Sequence, residues 1–365
     1  MKKIVIFNPS IEGGGVERNL EIIANYLSKK TKRKIYLISY DKCLKLNKTV
    51  NFVKPIINLN IKNRIFKYFI CLISLIIFHI NNKKYLIFSF QANVYAILFA
   101  KLFKQKIIVR ANAAPHGWIN GYKKIIIKFF YKRADKVIVN SNEFRNEFKK
   151  TFQLNPTVIY NPLDKVKLIS LSKKKINISF FDYFKSGIKI LNVGRLTSQK
   201  NQIDILRSVN ILKNKIPIRL LIIGTGNKLS YLKNFIKEEN LSNNVKIIPY
   251  CKNPYNYFKK ADMFILSSKY EGLPNVLLEA TLFKLLSISY KCKTGPKEIL
   301  QNGKGGILVN FGDHKRIAKE ILKYFYSKKK YKYKKMIDTS YKNLKKYHLK
   351  RQLNKYEKIT NNHLK

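Results

Sequence analysis

Residues 262–280, DMFILSSKYEGLPNVLLEA, contain the pattern that decides the fold. The segment DMFILSS has the apolar, unbroken composition of a buried β-strand. KYEG supplies a polar turn, and Pro274 stands where a helix would begin, because the N–H group that proline lacks has no partner in a first helical turn. The stretch therefore predicts a strand, a turn and a helix in direct succession. It places Glu271 on the turn and Glu279 about one and a half turns into the helix.

The same succession repeats along the chain, with helical patterns of about a dozen residues between the strands. The N-terminal series of strands is KIVIFN (3–8), KIYLIS (34–39), YLIFSF (85–90), KIIVR (106–110), DKVIVNS (135–141) and TVIYNP (157–162). The second series is KILNVG (189–194), RLLIIG (219–224), VKIIPY (245–250), DMFILSS (262–268), LLSISY (285–290) and GGILVN (305–310). Such alternation predicts βαβ units and parallel sheets covered on both faces. We therefore expect an α/β protein of two Rossmann-like, doubly wound domains in tandem.

Chain length and a break in the pattern predict the domain boundaries. A chain of 365 residues exceeds what one hydrophobic core usually serves. From Leu163 to Gly187 polar residues interrupt the alternation. We expect an N-terminal domain, a linker, a C-terminal domain and a closing C-terminal helix over residues 1–165, 166–187, 188–340 and 341–365. Ligands of open α/β sheets bind at the carboxyl ends of the strands, so the cleft between the domains is the expected site.

The formal net charge of +54 indicates an anionic partner, such as nucleic acid, an anionic membrane surface or a phosphorylated ligand. Lys, Asn and Ile are abundant together, as an A/T-rich coding bias produces, so part of the charge reflects composition. Basic residues are spread along the chain without a nucleic-acid-binding motif, and nucleic acid is therefore not expected as a partner. The four cysteines form no C-x-x-C pair, which argues against a zinc site and fits a reduced, cytoplasmic setting.

Two segments bear on membranes, and no secretory signal opens the chain. YFICLISLIIFHI (68–80) has 13 uncharged residues, fewer than the ~20 that span a bilayer, so we expect a buried or interfacial helix. GYKKIIIKFFYKRADK (121–136) interleaves basic and apolar residues and predicts a basic amphipathic helix suited to an anionic leaflet. The alternative for this segment is an ordinary helix with a solvated basic face.

Charged residues of two kinds follow the predicted strands of the C-terminal series. Glu271 and Glu279 can accept hydrogen bonds from vicinal diols, such as those of a ribose or a hexose. The alternative is a helix-terminal charge or a surface salt bridge. Arg195 follows Gly194 at a strand end, and Lys200 lies beside the next helix start. Both cations can converge on a diphosphate at the strand ends.

Three glycines, Gly13, Gly14 and Gly15, follow the first strand and open a helix. Without side chains, their backbone amides can approach an anionic group of a ligand closely. The alternative is a plain tight turn.

Five segments occur in the order and spacing of a known family: GGGVERN (13–19), GRLTSQKN (194–201), LLIIGTG (220–226), KYEGLPNVLLEA (269–280) and TGPKEI (294–299). The chain resembles the retaining glycosyltransferases of glycosyltransferase family 4, also called glycosyl transferases group 1. Their two Rossmann-like domains face each other across a cleft in the arrangement called GT-B. The resemblance covers nearly the whole chain and is most specific in residues 189–310.

The resemblance implies transfer of a hexose or N-acetylhexosamine from a nucleotide-diphosphate sugar. Glu271 would contact the donor sugar, Glu279 would bind the ribose diol, and Arg195 and Lys200 would neutralise the diphosphate. The co-substrate is the only expected cofactor. No metal is expected, because the sequence lacks D-x-D and the two cations can stabilise the departing diphosphate. Backbone groups are also implied in holding the donor, at Gly272, Leu273 and Asn275.

Two positions match the family less closely. His116, in RANAAPHGWING (110–121), resembles an active-site histidine that some members place near the transferred sugar; a structural loop histidine is the alternative. Thr294 stands where the family usually has a glycine. If that backbone needs a positive φ, the donor loop must be rearranged here.

A polyprenyl-diphosphate-linked glycan is the acceptor that the resemblance and the basic segment 121–136 favour. We expect a peripheral enzyme on the inner face of the cytoplasmic membrane, acting in bacterial cell-surface polysaccharide biosynthesis. Two other classes stay open: a nucleotide-sugar epimerase or phosphorylase-like enzyme with the same two domains, and a basic polyanion-binding protein without catalysis.

Overall fold

The computed structural model describes residues 3–364 except 12, 31–32, 42–44, 58–60, 62, 113–120, 175–178, 185, 252 and 329. The chain divides into two compact units. The N-terminal unit comprises Met1–Pro162 together with Leu349–Lys365, and the C-terminal unit comprises Leu163–His348. Within the described residues each unit contains one parallel sheet with helices between its strands. The prediction of two Rossmann-like units is confirmed.

The N-terminal sheet has seven strands in the described residues, in the spatial order β3-β2-β1-β4-β5-β6-β7. All neighbouring strands are parallel; Val5 on β1, for example, is in register with Tyr36 on β2 and with Ile87 on β4. The strand order reverses direction between β1 and β4. The strands are β1 (Lys3–Phe7), β2 (Lys34–Ile38), β3 (Val50–Val53), β4 (Leu86–Ser89), β5 (Lys106–Arg110), β6 (Lys136–Val139) and β7 (Thr157–Val158).

Helices cover both faces of this sheet because alternate strand residues point to opposite sides. Val5 and Phe7 belong to the core beneath α2 to α5, whereas Ile4 and Ile6 belong to the core beneath α1 and α15. The helices of the unit are α1 (Gly15–Lys30), α2 (Arg64–Ile80), α3 (Asn93–Leu102), α4 (Tyr122–Tyr131), α5 (Asn142–Phe152) and α15 (Leu349–Leu364).

The C-terminal sheet has six described strands, all parallel, in the order β10-β9-β8-β11-β12-β13. The strands are β8 (Ile188–Val193), β9 (Ile218–Ile223), β10 (Val245–Ile248), β11 (Met263–Leu266), β12 (Leu286–Tyr290) and β13 (Ile307–Val309). The helices are α6 (Lys165–Ser172), α7 (Ser179–Asp182), α8 (Ile203–Leu212), α9 (Leu229–Glu238), α10 (Tyr255–Lys260), α11 (Asn275–Leu282), α12 (Pro296–Ile299), α13 (His314–Tyr326) and α14 (Lys330–Asn343).

The segment 166–187, which we expected to be a linker, is partly folded into the C-terminal unit. Helix α6 lies in it, and the side chain of Asp164 caps the helix by accepting a hydrogen bond from the Lys167 amide at 3.0 Å. The helix packs against α10, and Asn253 donates to its Leu171 carbonyl at 2.9 Å. The sequence of α6 is short and has no regular apolar repeat, so it could not be distinguished from a linker.

The predicted closing helix is present but begins later than residue 341. Residues up to Asn343 belong to α14 in the C-terminal unit, and a new helix, α15, begins at Leu349. Helix α15 packs on α1 of the N-terminal unit, where the Tyr26 hydroxyl lies 2.7 Å from Asn354 Oδ1. The C-terminal residues therefore complete the N-terminal unit.

Both segments that bear on membranes are helical. The apolar stretch forms α2, a helix of 17 residues, and the basic stretch forms α4. Within the described part of the chain, the helices all fall short of the length and apolar character needed to cross a membrane.

Candidate active site at the switch point of the C-terminal sheet

The strand order of the C-terminal sheet creates a switch point between β8 and β11. The chain first builds β9 and β10 on one side of β8 and then places β11 on the other side, with Met263 in register with Ile190. The loops after β8 and β11 consequently leave the sheet side by side and open a crevice between them, which is the usual ligand position in such sheets. The loop after β8 carries Arg195 and Lys200, and the loop after β11 carries Glu271.

Lys200 and Glu271 form an ion pair in this crevice. Lys200 Nζ lies 2.5 Å from Glu271 Oε1, and the two side chains are only 17% and 9% exposed. Because water screens this pair weakly, both charges act strongly on a bound ligand. The ammonium group can neutralise a phosphate, and the carboxylate can accept a hydrogen bond from a sugar hydroxyl. Two residues that the sequence proposed separately are therefore in direct contact.

Hydrogen bonds hold the two loops against each other. The Lys269 amide donates to the Gln199 carbonyl at 2.8 Å, and the Gln199 side chain donates to the Tyr270 carbonyl at 2.9 Å. The Ser267 hydroxyl donates to the Lys200 carbonyl at 2.8 Å. These bonds fix the positions of Lys200 and Glu271, and fixed charges are the basis of electrostatic catalysis. Gln199 and Ser267 are supporting residues that our sequence reasoning missed.

Glycines bring the neighbouring loops after β8 and β9 into backbone contact. A Cβ atom at Gly224 would lie 1.9 Å from the Gly194 carbonyl oxygen, and one at Gly226 would lie 2.2 Å from the Leu196 carbonyl oxygen. The side chain of Arg195 is exposed beside this contact, and Gln202 donates to the Arg195 carbonyl at 3.0 Å. The glycines of LLIIGTG therefore shape the loop that carries Arg195 and Lys200.

The two predicted glutamates are both buried, with Glu271 8% and Glu279 2% exposed. A surface salt bridge, one of the two alternatives for the pair, does not fit this burial. Helix α11 begins at Asn275, one residue later than predicted, and Pro274 is its capping residue with extended backbone. The proline offers no side-chain cap, and the first-turn N–H groups of a helix have no intrahelical acceptor. This helix start lies directly after Gly272 and Leu273, and its first residue is Asn275, the third predicted backbone contact of the donor.

The backbone at TGPKEI does not require a positive φ at Thr294. Gly295, with φ of +90°, has the positive angle, and Thr294 does not. A Cβ atom at Gly295 would lie 2.1 Å from the Gly272 carbonyl oxygen, so the loop after β12 packs directly on the turn beside Glu271. The hydroxyl of Thr294, which is fully buried, donates to the Glu271 carbonyl. Thr294 therefore supports the backbone of Glu271.

The glycine loop of the N-terminal unit is explained largely by the start of α1. Gly13 has φ of +70°, and the Gly14 amide donates to Glu17 Oε2 at 2.9 Å. A glutamate in the third helical position that binds the amide of the capping residue is half of a capping box. This geometry favours the tight-turn alternative at Gly14, and a role in ligand binding stays a prediction for Gly13 and Gly15.

Two halves of the chain match two models of one glycosyltransferase family. Residues 13–167 match the model described as Glycosyltransferase Family 4, and residues 175–343 match the model described as Glycosyl transferases group 1. The chain belongs to the group 1 glycosyltransferases. The predicted family is thereby confirmed, and its two models divide the chain close to the boundary between the two structural units.

Curated relatives of this group 1 glycosyltransferase include transferases of polysaccharide biosynthesis. An uncharacterized glycosyltransferase of Methanocaldococcus jannaschii is 39% identical over 56% of this chain and 53% of its own length. The amylovoran biosynthesis glycosyltransferase AmsD of Erwinia amylovora is 30% identical over 63% of this chain and 64% of its own. A third relative, from Campylobacter jejuni, is 28% identical over 59% of this chain and 60% of its own length. Its name is N-acetylgalactosamine-N,N'-diacetylbacillosaminyl-diphospho-undecaprenol 4-alpha-N-acetylgalactosaminyltransferase. The chain thus spans less than two thirds of each relative.

Solved structures of glycosyltransferases share the fold of this group 1 glycosyltransferase. HepE of Anabaena, in a complex with UDP, has a TM-score of 0.75 at 15% identity, over 99% of this chain and 100% of its own. A glycosyltransferase of Rickettsia africae has a TM-score of 0.76 at 19% identity, over 100% of this chain and 98% of its own. The GT-B fold class is confirmed by these likenesses.

Two predictions about the site of this group 1 glycosyltransferase stay predictions. His116 lies outside the described residues. Among the residues that the structure does describe, no three His, Cys, Asp or Glu side chains gather to hold a metal ion.

Proposed function

We propose that this glycosyltransferase moves a hexose or an N-acetylhexosamine from a nucleotide-diphosphate sugar to a polyprenyl-diphosphate-linked glycan, with retention at the anomeric carbon. The observation that carries the proposal is the buried pair of Lys200 and Glu271 at the switch point of the C-terminal sheet. The Campylobacter relative is named for an undecaprenol-linked substrate, and HepE was solved with UDP, which supports this donor and acceptor class. A relative from Staphylococcus aureus, CapH, is named for capsular polysaccharide biosynthesis, which supports a role in bacterial cell-surface polysaccharide biosynthesis.

Each site residue has a proposed part in binding the donor. The diphosphate lies beside Lys200 and Arg195, whose positive charges stabilise the negative charge that grows on it as the bond to the anomeric carbon breaks. In the proposal these cations make a metal ion unnecessary. Glu271 accepts a hydrogen bond from a hydroxyl of the transferred sugar, and buried Glu279 accepts hydrogen bonds from the ribose diol. The backbone of residues 272–275 supports the same ligand.

The proposed place of action is the inner face of the cytoplasmic membrane. Helix α4 exposes Lys123 and Lys124, and exposed Lys132 and Arg133 follow its last turn. Near an anionic leaflet each such residue contributes about 1 kcal/mol of attraction. A lipid-linked acceptor is held at that surface, so a peripheral enzyme meets it there.

One experiment tests donor binding and transfer together. Thermal unfolding is followed with UDP, GDP, ADP and their sugar conjugates at moderate and high salt, and the stabilising conjugate is then supplied with a lipid-linked glycan. We expect one nucleotide to stabilise the wild-type protein even at high salt, because a buried pair is screened weakly. Glu271→Gln should remain folded and lose turnover by about 100-fold or more. Glu238→Gln, which removes the same charge from an exposed position on α9, should leave turnover unchanged.

Three outcomes would count against the proposal. If every polyphosphate stabilises the protein equally and this stabilisation disappears at high salt, the protein has a charged surface without a donor site. An epimerised donor formed without any acceptor would indicate an epimerase. Undiminished turnover in Glu271→Gln would remove Glu271 from the site.

A further inference from the structure

Three helices of the N-terminal unit expose an unusual number of large apolar side chains. Of the 23 exposed large hydrophobic residues in the described chain, 13 lie on α2, α3 and α4. We call this set the apolar layer. Its members are Ile65, Phe66, Phe69, Ile76, Ile77 and Ile80 on α2; Tyr95, Leu98 and Leu102 on α3; and Tyr122, Ile125, Ile126 and Phe129 on α4. Such a concentration marks an interaction surface, whereas single exposed hydrophobic residues do not.

The three helices lie side by side on one face of the N-terminal sheet, and their buried residues share one core. The ring of His79 on α2 packs 4.6 Å from the ring of Phe103 at the end of α3. Asn93 on α3 donates to the Tyr131 hydroxyl on α4 at 2.8 Å. The outward faces of α2, α3 and α4 therefore form one continuous surface.

Helix α2 contributes the longest part of the apolar layer. At 100° per residue its six exposed members fall within an arc of about 120° and extend for roughly 23 Å along the helix. Ile70, Leu75 and Phe78 lie on the other side and are buried against the sheet. Helix α2 is thus apolar on both sides, and the described residues of the protein cover only one of them.

The charge around the apolar layer is positive. None of the three helices contains an acidic residue. Exposed cations accompany all of them, at Arg64, Lys83, Lys84, Lys101, Lys104, Lys123, Lys124, Lys132 and Arg133. Asp135, whose side chain is only 16% exposed, lies 3.2 Å from Lys106 and 3.9 Å from Lys101. An apolar surface edged by cations matches a bilayer whose headgroups are anionic.

We propose that the apolar layer is the membrane-contacting surface of the protein and that α2 lies in the plane of an anionic bilayer with its exposed stripe inserted among the lipids. This inference deepens the proposed function, on whose membrane location it rests, and it moves the main anchor from the basic helix α4 to α2. A second copy of the chain is the other occupant that the apolar area allows. A twofold interface through this layer would bring its cations to face those of the partner, which favours lipid.

Vesicle sedimentation tests the proposal with the full-length protein. Phe66→Ser/Phe69→Ser removes two exposed rings from α2. The matched control, Val166→Ser/Ile169→Ser, removes two exposed apolar side chains at the same spacing on α6, in the other unit. On vesicles of phosphatidylglycerol and phosphatidylcholine we expect about tenfold weaker binding for the α2 variant and unchanged binding for the control. Pure phosphatidylcholine vesicles should bind the wild-type protein less tightly, because the cations then have no anionic partner.

The outcomes separate this proposal from the proposed activity and from self-association. Vesicle binding by the α2 variant equal to that of the wild type would overturn the proposal. So would light scattering that shows a wild-type dimer without lipid and a monomer for the α2 variant. Thermal stabilisation by the nucleotide should persist in the α2 variant, because the donor site lies in the C-terminal unit. If no nucleotide stabilises the wild-type protein, the proposed function is contradicted, whereas the conclusion from vesicle binding is unaffected.

Discussion

Replacing Gly295 by alanine tests whether the turn around Glu271 is held in place by the loop after β12. A Cβ atom there would lie 2.1 Å from the Gly272 carbonyl oxygen and 2.9 Å from Pro274 Cδ. Ordinary contacts of this kind begin near 3.4 Å, so the turn must move by about 1 Å. Gly303 supplies a matched control, because its φ of +96° is close to the +90° of Gly295 and a Cβ atom there meets nothing within 4 Å.

The two substitutions should differ in both stability and turnover. Each forces alanine into a positive φ, which costs about 1–3 kcal/mol. Gly295→Ala also crowds packed backbone, and we expect about 2 kcal/mol of further destabilisation. Because a displacement of about 1 Å at a catalytic group lowers rates by about 100-fold, Gly295→Ala should lose turnover on that scale. Gly303→Ala should keep the turnover of the wild type.

Urea unfolding and sugar transfer, measured on both variants below their unfolding temperatures, check this expectation. The donor is the nucleotide sugar that stabilises the wild-type protein. If both alanine variants lose the same stability and both retain full turnover, the contact between Gly295 and the turn does not position Glu271. Equal loss of turnover in both variants would show that backbone strain alone, anywhere in the unit, disturbs transfer.

Two further predictions concern buried ionisable groups. Lys200→Met leaves the Glu271 carboxylate buried without its cation and should lower the free energy of unfolding by about 3 kcal/mol. The control Lys233→Met, at an exposed position, should change the free energy of unfolding little. Equal effects of the two variants in urea unfolding would contradict a stabilising ion pair. Burial raises the pKa of Tyr131 from 10.0 to about 12. As the pH rises, Tyr131 therefore ionises in the unfolded chain before it ionises in the folded protein. The stability that depends on the neutral phenol is present below pH 10 and is lost as the pH rises towards 12. Tyr131→Phe should therefore lose less stability than the wild type between pH 10 and 12, and parallel pH profiles would refute this.

The alternation of strands and helices was sufficient to predict the fold class and the strand-end positions of the charged residues. Parallel strands buried on both faces need apolar runs, and the runs around Val5 and Phe264 are easily recognised. The loops at the switch point follow from the order in which the chain builds its strands. The sequence placed Arg195, Lys200 and Glu271 at strand ends, but only the strand order of the structure makes the loops that carry them neighbours.

The unpredicted features depend on contacts between distant segments. Strand β3 is only four residues long, too short for its sequence to predict a strand, and it is recognised by its pairing with β2. Helix α15 joins the N-terminal unit because its Tyr356 hydroxyl accepts a hydrogen bond from fully buried Arg110 at 2.9 Å. Arg110 also donates to Asn161 at 2.6 Å, so the helix is tied to the end of the first unit. No periodicity in residues 341–365 encodes that partner.

The direct contact between Lys200 and Glu271 changes how the site is understood. Family resemblance assigned Lys200 to the diphosphate and Glu271 to the sugar, as if each acted alone. In the structure the ammonium group of Lys200 already has a carboxylate at 2.5 Å. A diphosphate that approaches Lys200 must therefore share this cation with Glu271, and exposed Arg195 carries positive charge on the same loop. Because an unpaired buried cation would be costly, the carboxylate stabilises Lys200. The glutamate thus has a structural role in addition to its proposed contact with the sugar.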